Sequence, residues 1–214
     1  MEWKLKHVTV GVLTMAVGLV LLAGCANGPK YTENIAEVLA KQSQTVGAGK
    51  KQTNDMLTSL NTLVTAQGDL KPAFAKYSEQ LKGLIKTREN VRKRAQDFQE
   101  TREEYLKEWQ AQMANIQDPA IKAAAENRRK VVAEHYAALG QVAERAKGAV
   151  DPFIQYCQDI QKYLAFDLTP GGIEAIKPVA EKAQKEGIIV LGALDDIMVE
   201  FDRLSKMMAP SAKK

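Results

Sequence analysis

The sequence predicts an all-α fold: an elongated, antiparallel, coiled-coil-like four-helix bundle with a long central helical hairpin. Three observations carry that expectation. Apolar residues recur at alternating steps of three and four through most of the chain. Glycine (14) and proline (7) are scarce, and few segments alternate apolar with polar as strands do. With 45% hydrophobic and 26% charged residues the chain is too apolar for disorder, so it must bury a core.

The first element is an address. Lys4 and Lys6 precede Val8 to Ala23, a run without charge. Sixteen residues at about 1.5 Å each span about 24 Å, short of the roughly 30 Å hydrocarbon core. A basic start, a short apolar run and small residues at its end predict a signal peptide over residues 1–24. That end, Leu22-Ala23-Gly24-Cys25, resembles the lipobox of bacterial lipoproteins. The resemblance implies cleavage before Cys25 and acylation of its thiol. With Ala26 rather than aspartate next, it also implies an outer-membrane anchor facing the periplasm. Residues 25–31 are then a lipidated tether and 32–210 a single elongated helical domain. Loss of Glu2, Lys4 and Lys6 takes the 30 basic and 26 acidic residues to 28 and 25, a net +3. Cys157 is the one thiol left free, so no disulfide forms within the mature chain.

The helices follow from periodicity. Val46, Leu60, Phe74, Leu81 and Trp109 share one heptad position, and Met56, Leu63, Tyr77, Leu84, Val91, Phe98 and Tyr105 share another. Asp118-Pro119 supplies an N-cap and a first-turn proline, and Thr169-Pro170 repeats the signal. A second series runs Ile121, Ala125, Arg128, Val132, His135, Leu139 and on to Tyr163; a third runs Ile173, Ile176, Ala180, Ala183, Gly187 and on to Met208. Gly68 and Pro72 interrupt the first series, and their cost inside a helix, about 1 and 3 kcal/mol, favours a turn at 67–71 with Asp69 as cap. Helices are therefore expected near 32–66, 70–116, 119–167 and 170–208, kinked at Pro152 and Pro178. A helix continuous through Pro72 would instead give a rod of about 85 residues and about 127 Å.

The short connection at Gln117 and Asp118 forces the central helices antiparallel, so facing residue numbers sum to roughly 235. That sets Trp109 against Ala125, Phe98 against Ala138, Ala95 against Leu139 or Gly140, Leu81 against Phe153 and Phe74 against Ile160. Large residues oppose small ones, as close packing requires. With the turn, the second helix outruns the first by about 12 residues, carrying the hairpin tip about 18 Å past the first helix's start. Lys122, Arg128, Arg129 and Lys130 would then reach toward headgroups.

The stretch from about Lys71 to Met208 resembles a bacterial helical family known only as a domain of unknown function. The resemblance rests on Phe98, Glu103, Tyr105 and Trp109, on a long helix reaching Asp151-Pro152-Phe153-Ile154, and on an amphipathic helix from Ile173 to Met208. It implies a helical fold and an envelope setting, and no catalytic residues.

The residues themselves supply no reaction. A di-iron bundle needs Glu-x-x-His on two helices, whereas His135 follows Val132 by three and stands alone in the mature chain. Gly47-Ala48-Gly49-Lys50 lacks the glycine and the preceding strand of a phosphate loop. Cys157 lies on the apolar side of its helix and reads as core. His135 is expected opposite about Glu100, as a boundary histidine satisfied by that carboxylate or else as a pH sensor. Arg102 near Glu134 or Ala133, Arg92 near Glu144 and Arg88, also on the seam, are expected to fix register. Residues 82–130 hold twelve basic and eight acidic residues, a solvated face or a surface for acidic partners. The expected protein is non-enzymatic, with neither cofactor nor metal and no nucleic-acid partner. It is a membrane-anchored envelope scaffold, adaptor or spacer that binds an envelope protein, and homo-oligomers are compatible with it. The alternative is a membrane-active protein whose hairpin binds or remodels lipid; its long helices carry charges on most turns, and no apolar run sits near Gln117.

Overall fold

The computed structural model describes residues 28–209. Helix α1 spans Gly28–Thr65, α2 Lys71–Ala114, α3 Pro119–Leu164 and α4 Pro170–Met208. They form an up-down-up-down bundle in which α1 and α3 each touch α2 and α4 but not each other. All four interiors meet in one core. Leu39, Met56, Leu60 and Leu63 come from α1, Tyr77 and Leu81 from α2, Tyr136, Phe153 and Ile160 from α3, and Ala183, Val190 and Leu204 from α4.

The turn between α1 and α2 is the one the glycine predicts: Gly68 has φ +77°, a conformation that costs other residues. Asp69 accepts from the Lys71 N–H (3.0 Å), and Pro72 falls in the first turn of α2. Asp118 caps α3 through the N–H groups of Ala120 (2.9 Å) and Ile121 (3.0 Å), and Thr169 caps α4 through Gly172 N–H (3.1 Å). Both α3 and α4 continue through their prolines, Pro152 and Pro178, which lie exposed on the outer face.

The expected register of the central hairpin holds. Tyr77 donates its hydroxyl hydrogen to the Cys157 carbonyl (2.7 Å), and the Phe98 and Tyr136 rings lie 5.9 Å apart. Arg88 reaches across to Asp151 (2.6 Å). Other expectations about this seam need correcting. Phe98 packs on the large rings of Tyr136 and Phe201, which the hairpin arithmetic does not give. Ala95 and Gly140 are both exposed, and α2 and α3 share the least extensive interface of the four. Arg102 pairs with its neighbour Glu103, not Glu134, and Arg92 closes no ion pair with Glu144.

Helix α4 packs closest. A Cβ added at Gly187 would lie 2.6 Å from Leu57 and 3.0 Å from Phe153, so only a hydrogen there lets α4 approach α1 and α3 together. Helix α2 outlasts α1 by less than expected. Forty-four residues against 38 leave six, about 9 Å rather than 18 Å. Among the described residues the tip of α2 and α3 extends past α1 and α4, and Ile121, expected on the apolar seam, is 60% exposed.

Candidate functional site

The two ends of the bundle differ. One end holds the α2–α3 connection, the start of α1 and the end of α4. The other holds the turns that join α1 to α2 and α3 to α4.

At the first end the four cations singled out in the sequence separate. Lys122, Arg129 and Lys130 line a shallow depression with Gln110, Met113 and Glu126. Arg128 points elsewhere: its guanidinium donates to the Met207 carbonyl and so satisfies an orphan acceptor at the end of α4. The tip is also less basic than residues 82–130 as a whole. From 102 to 130, six basic residues (Arg102, Lys107, Lys122, Arg128, Arg129, Lys130) meet five acidic ones (Glu103, Glu104, Glu108, Asp118, Glu126). The excess positive charge lies further along α2, between Lys82 and Arg94.

Inward from the tip is a polar layer. His135 Nδ1 lies 3.9 Å from Glu200 Oε2 on α4, not opposite Glu100 on α2 as the hairpin arithmetic expects. The arithmetic treats two helices alone, and α4 takes the flank of α3 on which His135 sits. Glu200 is buried; its other oxygen accepts from Arg203 one turn on, which offsets part of the cost of burying a carboxylate. Beside this layer Phe98 links Tyr136 and Phe201, and Tyr105 meets Trp109 edge-on at 5.6 Å. Burial pushes the Tyr136 hydroxyl well above the ordinary phenol range, and its oxygen has no hydrogen-bond partner.

The sulfur of Cys157 is sealed in the core. Burial pushes its thiol up to about 12, so it is a neutral thiol at physiological pH. Among the described residues no three of histidine, cysteine, aspartate and glutamate converge as metal ligands would.

At the opposite end is the feature that sequence reasoning missed. Phe166, in the turn after α3, is 95% exposed, and Tyr163 beside it is partly exposed. Near it an open cleft runs between the end of α1 and the start of α4, lined by Val64, Leu70, Ile173 and Lys177. The signal was present: Phe166 falls off every apolar series, yet an unbroken helix to 167 concealed it. Leu22, Ala23, Gly24 and Cys25 lie outside the described residues.

A family model described as "Protein of unknown function (DUF2959)" matches residues 29–208. No curated protein and no solved structure matches the chain.

Proposed function

The chain belongs to this family, whose description carries no activity, and from that premise we propose that it is a lipid-anchored envelope scaffold. Acylated at Cys25 in the outer membrane, it holds a partner-binding end away from the bilayer. The anchor rests on the lipobox-like Leu22-Ala23-Gly24-Cys25. The observation that carries the scaffold reading is the placement of Phe166. Helix α1 begins three residues after Cys25, and Phe166 stands at the far end of a bundle about 65 Å long. An aromatic ring left in water there gains free energy only by burial against something else. The role is non-enzymatic: anchor, rigid rod, recognition end.

A second reading has its own observation. Ile121 and Lys122 are both exposed at the tip on the anchored side, an apolar and a cationic group suited to a headgroup layer. No helix among the described residues is long and apolar enough to cross a membrane, so such contact is peripheral.

One experiment separates them. Lipidated protein on vesicles is used to capture envelope proteins, and leakage of the same vesicles is followed. Capture that is specific, lost in Phe166→Glu and kept in Lys122→Glu supports the scaffold. Leakage that Lys122→Glu abolishes and Phe166→Glu leaves unchanged supports the lipid reading and overturns the first.

A further inference from the structure

Where opposite charges stand three or four residues apart, the helices of this bundle repeatedly pair them: Glu37 with Lys41, Lys51 with Asp55, Asp159 with Lys162 and Asp202 with Lys206. The first turns of α3 do not. Lys122, Glu126, Arg129 and Lys130 follow at steps of four, three and one, so they share one flank of the helix. Glu126 stands four residues from both lysines, yet none of the four closes an ion pair among the described residues. Lys122 also lies in the first turn of α3, where the helix macrodipole works against a cation. Its position does nothing for the helix itself.

These four side chains line the recess at the tip together with Gln110 and Asn127. Glu126 is the one carboxylate among the lining residues, so three cations less one anion give the lining a net +2. Arg129 is half-buried, and its Nε is enclosed without an acceptor. A buried donor left without a partner is unfavourable. A small turn of the guanidinium would present that N–H, with a terminal nitrogen, to the recess.

We infer that this recess between α2 and α3 is a binding site for a phosphomonoester. Such a group carries about −1.5 to −2 charges at pH 7 and three strong acceptor oxygens. That charge balances the lining, and the oxygens suit the fork of Arg129 and the ammonium groups of Lys122 and Lys130. The side-chain amides of Gln110 and Asn127 add neutral donors. A carboxylate or a phosphodiester brings a single negative charge and leaves the lining half neutralised. Two sources present the group: an amphiphile of the facing leaflet, or a small phosphorylated compound in solution. Ile121, exposed next to Lys122 at the anchored end, favours the amphiphile. In that form the inference deepens the lipid reading above and rests on it, whereas the phosphate chemistry of the recess is the same for either source.

The purified full chain in a neutral detergent is titrated with dihexanoyl phosphatidic acid and, separately, with glycerol 3-phosphate. Magnetic resonance follows the Arg129 Nε–H and the phosphorus of the titrant. A saturable shift of both signals is expected, with dihexanoyl phosphatidylglycerol, a diester, binding about ten-fold more weakly. Arg129→Lys keeps the charge but loses the fork, and it should weaken binding about ten-fold, as should Lys130→Gln. Glu126→Gln should tighten binding about three-fold by removing the one repulsive charge. Lys182→Gln, an exposed cation of α4, should leave binding unchanged. Circular dichroism reports the fold of each variant, and Lys122→Gln stands in for any that misfolds. Ile121→Ser weakening the lipid alone assigns the site to an amphiphile. Equal binding of both monoesters, unmoved by Ile121→Ser, assigns it to a soluble compound and overturns the lipid source while keeping the site. No saturable shift with any titrant overturns the site itself, as does an equal loss in Lys182→Gln and Lys130→Gln.

Discussion

Burial of single side chains has consequences that can be measured. Cys157 is fully buried and its thiol is held up to about 12, whereas an unfolded chain ionises a thiol near pH 8.5. The native state therefore keeps a proton that the unfolded state gives up. This contribution is intact below about pH 8.5 and is lost as pH rises toward 12. Denaturant titrations between pH 8 and 11 should show stability falling from about pH 8.5 in the natural chain. In Cys157→Ala the fall should begin about one unit later, when Tyr77 and Tyr136, both raised by burial, start to ionise in the unfolded chain. Two glycines of α4 make an opposed pair. Gly187→Val forces a side chain onto Leu57 and Phe153 and should cost about 1–3 kcal/mol. Gly192 has open space around it, so Gly192→Ala should gain up to about 1 kcal/mol through helix propensity. Equal effects of the two in chemical denaturation would mean that α4 does not approach α1 and α3 as described.

The helices were legible in the sequence where local chemistry alone decides them. Asp118-Pro119 and Thr169-Pro170 start α3 and α4 at those caps, because an oxygen acceptor followed by a residue without an N–H satisfies a helix start in any context. The Gly68 turn was legible for the same reason. Gly68→Ala should cost about 1 kcal/mol, because alanine is strained at positive φ; a melting temperature that does not fall would place the turn elsewhere. The hairpin register was legible from one short connection, and Tyr77 with Cys157 obeys it. What the hairpin could not reveal is how a third and fourth helix divide its sides. Heptad counting put Ala95 on the seam, but the alanine is exposed. It put His135 against α2, but α4 supplies Glu200. It put Ile121 in the core, but neither α1 nor α4 extends far enough to cover it. Periodicity gives the direction a residue faces on its own helix, and the lengths of the neighbours decide whether anything is there.

The molecule as a whole is a rod with unlike ends, and that asymmetry underlies the functional reading. The candidate sites divided accordingly. The cations at the tip could be named from sequence, though one of them, Arg128, turns out to hold the end of α4. Phe166 was concealed, although it falls off every apolar series, because its exposure depends on where α3 stops and that end was expected at 167 instead of Leu164. On the proposed function, lipid at Cys25 sets the tip against the bilayer and holds Phe166 away from it. Energy transfer from a dye to an acceptor in the lipid headgroups tests this on lipidated protein, labelled in turn at Gln117→Cys and Phe166→Cys. The two positions bracket α3, whose 46 residues span about 70 Å. Strong transfer from residue 117 and almost none from residue 166 is the predicted result. Equal transfer from both positions, or stronger transfer from 166, would contradict the claim.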